Sequence, residues 1–257
     1  MRSGSSGNLL LLEAGHTRIL VDCGLSTQRA CRRILDEEVG LEGGIDGVLV
    51  THAHSDHINY ASLRVLCERG IPVYLHHRTE REVRRRYLNP YRVPASVDFD
   101  RLELRTFGDD AFRIDGLEAM PIPVPHAPGV TTHAFALRAD GRRVLIASDF
   151  HDPDAVVPHI YDCDLIYLEA NYDLDLLRRH FNPASLYHLP NPAAGLLLQH
   201  AIREGTRPPE AIVLGHLSEE RNRPELALET VREILRDCGS PRLVAAPRYE
   251  AAEAVVI

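Results

Sequence analysis

Apolar residues along the chain fall into short runs that are separated by amphipathic stretches and turn residues. Runs of about four to eight apolar or β-branched residues predict strands, and apolar residues spaced three and four apart predict helices. The predicted strands cover residues 9–14, 17–21, 47–50, 71–75, 102–107, 111–114, 117–124, 132–138, 142–147, 164–171, 211–214 and 242–246. The predicted helices cover residues 27–38, 61–69, 78–87, 191–204 and 224–238, with the third ending near 89–90.

Turn residues and element order indicate how the strands pair. Gly15-His16 and Ala139-Asp140-Gly141 each join two predicted strands and predict β-hairpins. The order strand, helix, strand over residues 47–75 predicts parallel neighbours, because a crossover helix reverses the chain direction. Length allows one large α/β domain or two small ones. Since no linker is visible, we predict a single domain over residues 1–257.

Composition narrows the class of protein. A hydrophobic content of 44% is enough for a sizeable core. The chain has no long apolar run and no basic-then-apolar amino terminus, so we expect no membrane span, no secretory signal and a cytoplasmic location. The 5 cysteines are odd in number and widely spaced, which argues against a disulfide framework and a zinc ribbon.

Charge excludes several mechanisms. All 29 basic residues are arginine, so a P-loop lysine, a Schiff base and a Ser-Lys dyad are excluded. The net charge of -8 argues against broad, non-specific binding of a polyanion, although a local site remains open. We predict that the charged stretch 78–87 is a solvated helix with Glu/Arg pairs four residues apart; the alternative is a polyanion-binding patch.

The segment Thr51-His52-Ala53-His54-Ser55-Asp56-His57 carries the strongest chemical signal. It places three imidazoles and a carboxylate directly after the apolar run 47–50. His52 and His54 can point to one place while Asp56 and His57 reach a second place nearby, which suggests two adjacent metal ions. Imidazole and carboxylate suit zinc, manganese and iron. The alternative is a set of surface histidines at a helix entrance.

Further donors follow other predicted strands. His126, Asp149 and His216 each follow a predicted strand, and a carboxylate at the end of a buried strand needs a partner. The alternatives are an ordinary loop histidine for His126 and a helix N-cap for Asp149. Asp22 closes the second strand and is a turn residue or a carboxylate that holds the metal-binding loop. We predict that the neighbouring pair His76-His77 is a solvated loop.

In this order, Asp22, His52-x-His54-x-Asp56-His57, His126, Asp149 and His216 resemble the metallo-β-lactamase superfamily over essentially the whole chain. The resemblance implies an α/β fold of four layers, an αββα sandwich of two facing mixed sheets with outer helices. It also implies two metal ions, zinc or else manganese or iron. One ion would be held by His52, His54 and His126, the other by Asp56, His57 and His216, with Asp149 bridging. The implied nucleophile is a hydroxide between the ions, which gives Asp56 and Asp149 catalytic roles.

Within the superfamily, three segments resemble the YycJ/WalJ group of 5′-to-3′ DNA exonucleases. They are Ser3-Gly4-Ser5-Ser6-Gly7-Asn8, Leu168-Glu169-Ala170-Asn171 and Leu214-Gly215-His216-Leu217-Ser218. The resemblance implies that substrate contacts Ser5, Ser6, Asn8 and His188. Tyr172 stands where the group usually has a histidine, and we expect it to contact substrate by donating a hydrogen bond.

His188 would position a phosphate or protonate a leaving group, with a simple helix-entry histidine as the alternative. The chain departs from the group at Tyr172, where a histidine is usual, and at Ser148-Asp149-Phe150-His151, where a Thr-Asp-Thr-Gly-like turn is usual.

We therefore expect a metal-dependent hydrolase, a phosphodiesterase or nuclease with DNA as substrate. The fold alone does not choose the substrate. A small phosphodiester, ester or thioester metabolite is the alternative substrate. The alternative outside enzymes is a metal-binding regulatory protein.

Overall fold

The computed structural model describes residues 3–4, 7–38, 40, 44–88, 99, 101–239, 241–249 and 253–257. Ser5 and Ser6, which the sequence predicts to contact substrate, lie outside the described residues, as does the predicted helix end near 89–90.

The first sheet is built from the amino-terminal part of the chain. Its first two strands form the antiparallel hairpin predicted at Gly15-His16, and the remaining strands pair in parallel. In spatial order the strands are β1 (Leu10–Ala14), β2 (Thr17–Val21), β3 (Gly47–Leu49), β4 (Val73–His76) and β5 (Leu104–Phe107).

The second sheet has seven strands. Antiparallel hairpins join its first four strands, including the hairpin predicted at residues 139–141, and the last four pair in parallel. In chain order, which is also the spatial order, they are β6 (Phe112–Ile114), β7 (Leu117–Val124), β8 (Thr132–Ala139), β9 (Arg142–Ala147), β10 (Leu165–Glu169), β11 (Ala211–Gly215) and β12 (Arg242–Ala245).

Helix ends follow local capping chemistry. The side chains of Thr27 and Asn59 accept hydrogen bonds from the first turns of α1 and α2, and Gly70 ends α2 in the left-handed conformation. The helices are α1 (Gln28–Arg33, continued by the π-helical segment Ile34–Glu38), α2 (Tyr60–Arg69), α3 (His77–Tyr87), α4 (Val157–Ile160), α5 (Leu174–Arg179), α6 (Asn191–Glu204) and α7 (Pro224–Ile234). The pattern did not predict α4 and α5, because such short helices show no periodicity.

Side chains that alternate between the two faces of each sheet divide the core into three apolar clusters: one between the sheets and one between each sheet and its outer helices. Leu20 and Val48 face outward onto α1 and α2, whereas Ile19 and Leu49 face the second sheet. The outer face of the second sheet packs on α6 and α7. Two mixed sheets thus face each other between helices, and the predicted αββα sandwich is confirmed.

The structure corrects the prediction for His76-His77. His76 is the last residue of β4, paired with Phe107, and it is buried; His77 begins α3. The strand extends one residue beyond its apolar run because β5 continues the ladder there. In α3 itself, Arg84 pairs with Glu80 and Arg86 with Glu82, so the predicted pairs four residues apart are confirmed.

In the part of the chain that the structure describes, no helix is both long enough and apolar enough to cross a membrane.

Candidate metal centre and active site

The loop that follows β3 carries four of the predicted donors. It is closed by hydrogen bonds from the His57 and Ile58 N–H groups to the His54 carbonyl oxygen. Asp22, at the end of the adjacent strand β2, accepts a hydrogen bond from the Thr51 N–H at 2.8 Å and lies 2.7 Å from His57 Nδ1. The carboxylate therefore fixes the ring of His57 so that Nε2 faces Asp149.

Thr51 takes part in this arrangement although the sequence analysis gave it no role. Its hydroxyl donates to Asp22 and lies 3.0 Å from His52 Nδ1. A ring nitrogen held in this way orients the opposite nitrogen toward a metal. Thr51 is buried, and a threonine at the start of a loop gives no signal in a single sequence.

The second sheet supplies three further donors at the same edge. His126 follows β7, Asp149 follows β9 and His216 follows β11, and all three are buried. Asp149 and His216 have φ of 60° and 51°, the left-handed region that non-glycine residues rarely adopt. Such backbone strain persists only where surrounding contacts fix it, and it is common at functional sites.

The donor atoms form overlapping groups, and within each group all the atoms lie within 4.8 Å of one another. Among these groups are His52 with His54 and His126, His52 with His57 and Asp149, Asp56 with His57 and His216, and His126 with Asp149 and His188.

Asp149 lies between the groups. Its Oδ2 is 3.2 Å from His57 Nε2 and its Oδ1 is 3.5 Å from His216 Nε2. The structure thus brings together the seven residues that the sequence predicted as ligands.

This donor set fits divalent ions. Asp149 Oδ2 and His216 Nε2 are buried and have no hydrogen-bond partner among the described residues. A buried carboxylate oxygen that has an ion pair but no hydrogen bond is costly, and a cation removes that cost. His126 Nδ1 lies 3.1 Å from the Tyr187 carbonyl oxygen, which leaves Nε2 free to bind an ion.

Electrostatics favour the ligand forms of several of these groups. Burial and the neighbouring His57 hold the pKa of His52 well below its usual range, and burial with His126 lowers the pKa of His54 to about 4. Both rings are therefore neutral at pH 7, as metal binding requires. Burial opposes ionisation of Asp149, but the charges of His216 and His57 outweigh it and hold its pKa well below the usual range. Burial opposes protonation of these two rings, but Asp149 outweighs it, raising the pKa of His57 well above its usual value and that of His216 to about 10. Metal binding there therefore releases protons from His57 and His216.

Glu169 is the main residue whose role the sequence analysis missed. It ends β10 fully buried, and its Oε1 accepts hydrogen bonds from the Phe150 and Leu189 N–H groups. Its Oε2 lies 3.0 Å from His188 Nδ1 and 3.2 Å from His216 Nδ1. Two signals were available: a carboxylate at the end of an apolar strand, as for Asp149, and the place of Glu169 in the segment Leu168-Glu169-Ala170-Asn171 that resembles the YycJ/WalJ group.

A cleft of about 440 Å³ opens beside the donors, and His188 lines it together with His54, Asp56, His126 and Asp149. His188 Nδ1 is 3.8 Å from Asp149 Oδ1, so the predicted catalytic histidine lies next to the donor set.

Asn8 and Tyr172, which were also predicted to contact substrate, are buried and do not line the cleft. Asn8 is buried with its side chain 3.0 Å from His57 Nε2, which favours a role in positioning the metal-binding loop. Tyr172 is buried outside the residues that line the cleft, whereas Asn171 lines it and donates to the His216 carbonyl oxygen.

Residues 17–217 match a family model described as a beta-lactamase superfamily domain. This chain belongs to the metallo-β-lactamase superfamily. The exodeoxyribonuclease YycJ of Bacillus anthracis is 28% identical over 251 residues, covering 93% of this chain and 89% of that protein. The exodeoxyribonuclease WalJ of Streptococcus pneumoniae is 28% identical over 241 residues, covering 90% and 85%. The metallo-β-lactamase fold protein YhfI from Bacillus subtilis superposes with a TM-score of 0.71 at 18% identity, covering 96% and 93%.

These similarities confirm the predicted superfamily, its fold and the likeness to the YycJ/WalJ group. With the clustered donors they also confirm the predicted class, a metal-dependent hydrolase.

Proposed function

We propose that this chain is a dinuclear metal-dependent phosphodiesterase that degrades DNA from the 5′ end. The observation that carries the proposal is the buried set of His and Asp donors around Asp149, which opens onto a cleft that also holds His188. The relatives named exodeoxyribonuclease support DNA as the substrate, since each aligns with at least 90% of this chain.

The overlapping donor groups support two metal sites. His52, His54 and His126 would hold one ion, Asp56, His57 and His216 the other, and Asp149 would touch both. Divalent ions here, zinc or else manganese or iron, supply an activated water nucleophile and stabilise negative charge on the phosphoryl oxygens.

The pair Glu169 and His188 supplies a proton to the leaving oxygen. The Glu169 carboxylate lies 3.0 Å from His188 Nδ1, so it accepts a hydrogen bond from the Nδ1–H and orients the ring. His188 Nε2 is then the nitrogen that can donate to substrate in the cleft. Because Glu169 is buried and held by two backbone N–H groups, the ring keeps its direction throughout the reaction.

The first experiment compares DNA ends. The protein, loaded separately with zinc or manganese, is incubated with 5′-labelled and 3′-labelled single- and double-stranded DNA, with Asp56→Ala as the blank. We expect mononucleotides to be released from the 5′ end only by the unaltered protein. Intact DNA in all samples, with turnover of bis-p-nitrophenyl phosphate, would refute the exonuclease and retain the hydrolase.

The role of His188 is tested by changing the leaving group. His188→Ala should lower the rate on DNA by about 100-fold or more, since general acid catalysis contributes 10²–10⁴-fold. The same variant should cleave bis-p-nitrophenyl phosphate at nearly the normal rate, because p-nitrophenolate leaves without a proton. Equal losses on both substrates would contradict the proton-donor role. The exposed His180 provides the matched control, His180→Ala.

A small phosphodiester is the second candidate substrate. The cleft is lined by Glu219 and Glu220 and the whole chain is negatively charged, both of which disfavour a long polyanion. Ester and thioester metabolites belong to the same small-molecule alternative. A metal-loaded protein that turns over none of these substrates would favour a metal-binding regulatory protein.

A further inference from the structure

A second cluster of metal-binding side chains lies outside the proposed active site. His76 ends β4 in the first sheet, Asp109 follows β5, and His133 lies in β8 of the second sheet. One donor atom from each of the three side chains lies within 4.8 Å of the others. The two imidazole rings have centroids 4.4 Å apart, and His76 Nε2 is 3.3 Å from Asp109 Oδ1.

Both histidines are buried and incompletely paired. They are 1% and 2% exposed, and His76 Nε2 and His133 Nδ1 have no hydrogen-bond partner among the described residues. His76 Nδ1 accepts a long and therefore weak hydrogen bond from the Arg78 N–H at 3.4 Å. Little energy is lost if this bond breaks when the ring proton moves to Nδ1, which frees Nε2 to bind an ion. Buried ring nitrogens without a hydrogen bond are costly, and the 3.3 Å contact with Asp109 Oδ1 is all that His76 Nε2 has among the described residues, so a ligand shared by the two rings would remove this cost.

The surroundings suit a cation that enters from solvent. Burial and, to a smaller extent, the neighbouring His76 lower the pKa of His133 to about 4. Burial and, to a smaller extent, the neighbouring His77 also lower the pKa of His76. Both rings are therefore neutral at pH 7. The charge of Arg78 opposes a cation here. The Asp109 carboxylate offsets it, and its 73% exposure leaves a path for an ion.

We propose that His76, Asp109 and His133 form a separate binding site for a divalent transition-metal ion of the zinc type. Two imidazoles and a carboxylate with a position left for water are a common ligand set for zinc. The ion connects β4 and the end of β5 in one sheet to β8 in the other. Its role is therefore to fasten the two sheets, and this goes beyond the proposed phosphodiester hydrolysis.

The test is a zinc count at equilibrium. The intact protein is dialysed against zinc, and bound metal per chain is measured for the unaltered protein, His133→Gln, Asp109→Asn and the control His16→Gln, an exposed histidine in the first hairpin. We expect one equivalent less in His133→Gln. Asp109→Asn should weaken the binding of one zinc ion by about tenfold or more, since even outer-shell partners contribute 10–100-fold to metal affinity. His16→Gln should match the unaltered protein.

Asp109→Asn keeps the test decisive if His133→Gln fails to fold, because the exposed position tolerates substitution. In an Asp149→Asn background, which impairs the main centre, zinc should still raise the melting temperature, and adding Asp109→Asn should reduce that rise. Equal zinc content and affinity in unaltered protein, His133→Gln and Asp109→Asn, with no such rise, would overturn the proposal.

Discussion

At the scale of single residues, the site depends on backbone conformations that cost energy. Asp22, Asp149 and His216 all have positive φ. Asp22 and His216 directly follow β2 and β11, and Asp149 lies two residues after the end of β9. A left-handed residue turns the chain sharply, so its side chain can face the centre instead of continuing the pleat. Asp and Asn tolerate this conformation better than other non-glycine residues.

Asp149→Asn therefore separates the charge of this residue from its backbone. Asparagine keeps the left-handed turn, so we expect a folded protein with reduced metal content. Activity should fall by more than about 100-fold, the largest effect typical of an outer-shell change. Metal analysis, circular dichroism and the phosphodiesterase assay measure these effects. The matched control is Asp140→Asn, another left-handed aspartate at a hairpin, which should leave metal and activity unchanged.

At the scale of elements, the metal-binding loop depends on close backbone packing. Gly24 follows β2, and a Cβ atom there would lie 1.7 Å from the Asp56 carbonyl oxygen. The Asp56 carbonyl also accepts hydrogen bonds from the Asn8 N–H and the Asn8 side chain. Two segments from the start of the chain thus hold the position of Asp56.

Gly24→Ala should push this loop away from the donors. We expect a loss of about 1–3 kcal/mol in the free energy of unfolding, as for overpacking in a core, together with weaker metal binding. Urea unfolding and metal titration check both effects. Gly108→Ala is the control, since nothing lies within 4 Å of its Cβ position, and its effect should stay within about 0.5 kcal/mol. An unchanged metal affinity in Gly24→Ala would contradict this account of the loop.

Asp164 connects neighbouring segments at the ends of the strands opposite to the metal centre. It precedes β10, accepts a hydrogen bond from the Arg143 N–H at 2.7 Å, and pairs with Arg142 and Arg207. Burial opposes its ionisation, but Arg207, the Arg143 N–H and Arg142 outweigh burial and lower its pKa to about 2.

The stability that comes from this ionised carboxylate should depend on pH. The pKa of Asp164 in the folded protein lies below its unfolded value of 3.8, so the ionised carboxylate stabilises the protein above pH 4. This stabilisation is lost as the pH falls through 2. Asp164→Asn should lower the free energy of unfolding by about 1–2 kcal/mol at pH 7, after allowance for screening of the half-exposed arginines. The difference from unaltered protein should shrink between pH 4 and 2 in urea unfolding of metal-free samples. Asp175→Asn, at an exposed helix pair, should show no such trend.

At the scale of the whole molecule, the centre joins the two sheets. The loop after β3 belongs to the first sheet, whereas His126, Asp149 and His216 follow strands of the second. Bound metal therefore links two halves that otherwise meet through an apolar core.

Removal of metal should destabilise the whole protein. Ligand at about 1,000 times its dissociation constant stabilises by about 4 kcal/mol, which corresponds to a rise of roughly 8–16 °C in melting temperature for a chain of this size. Scanning calorimetry with and without EDTA measures the shift. In the Asp149→Asn variant, EDTA should lower the melting temperature much less. An identical decrease in that variant would show that the stabilising ions bind elsewhere.

The sequence by itself determined most of the elements and the donors. Strand and helix periods, two hairpin turns and one crossover predict the strands, the helices and their local pairing, because local patterning reflects which face each element buries. The arrangement as two facing mixed sheets was implied by the resemblance to the superfamily. The four donors of residues 52–57 are neighbours in the chain, so their clustering needs no tertiary information. His126, Asp149 and His216 were predictable because polar side chains after buried strands demand partners.

Only the tertiary structure decided which groups face these donors. Glu169 and His188 are 19 residues apart and meet through β10 and the segment that precedes α6, and Thr51 reaches Asp22 across two strands. His76 and His133 come from different sheets, so no spacing in the chain predicts their contact. The reason is physical. A local pattern records whether a side chain is buried, whereas the identity of its partner is set by how distant strands align when the two sheets pack.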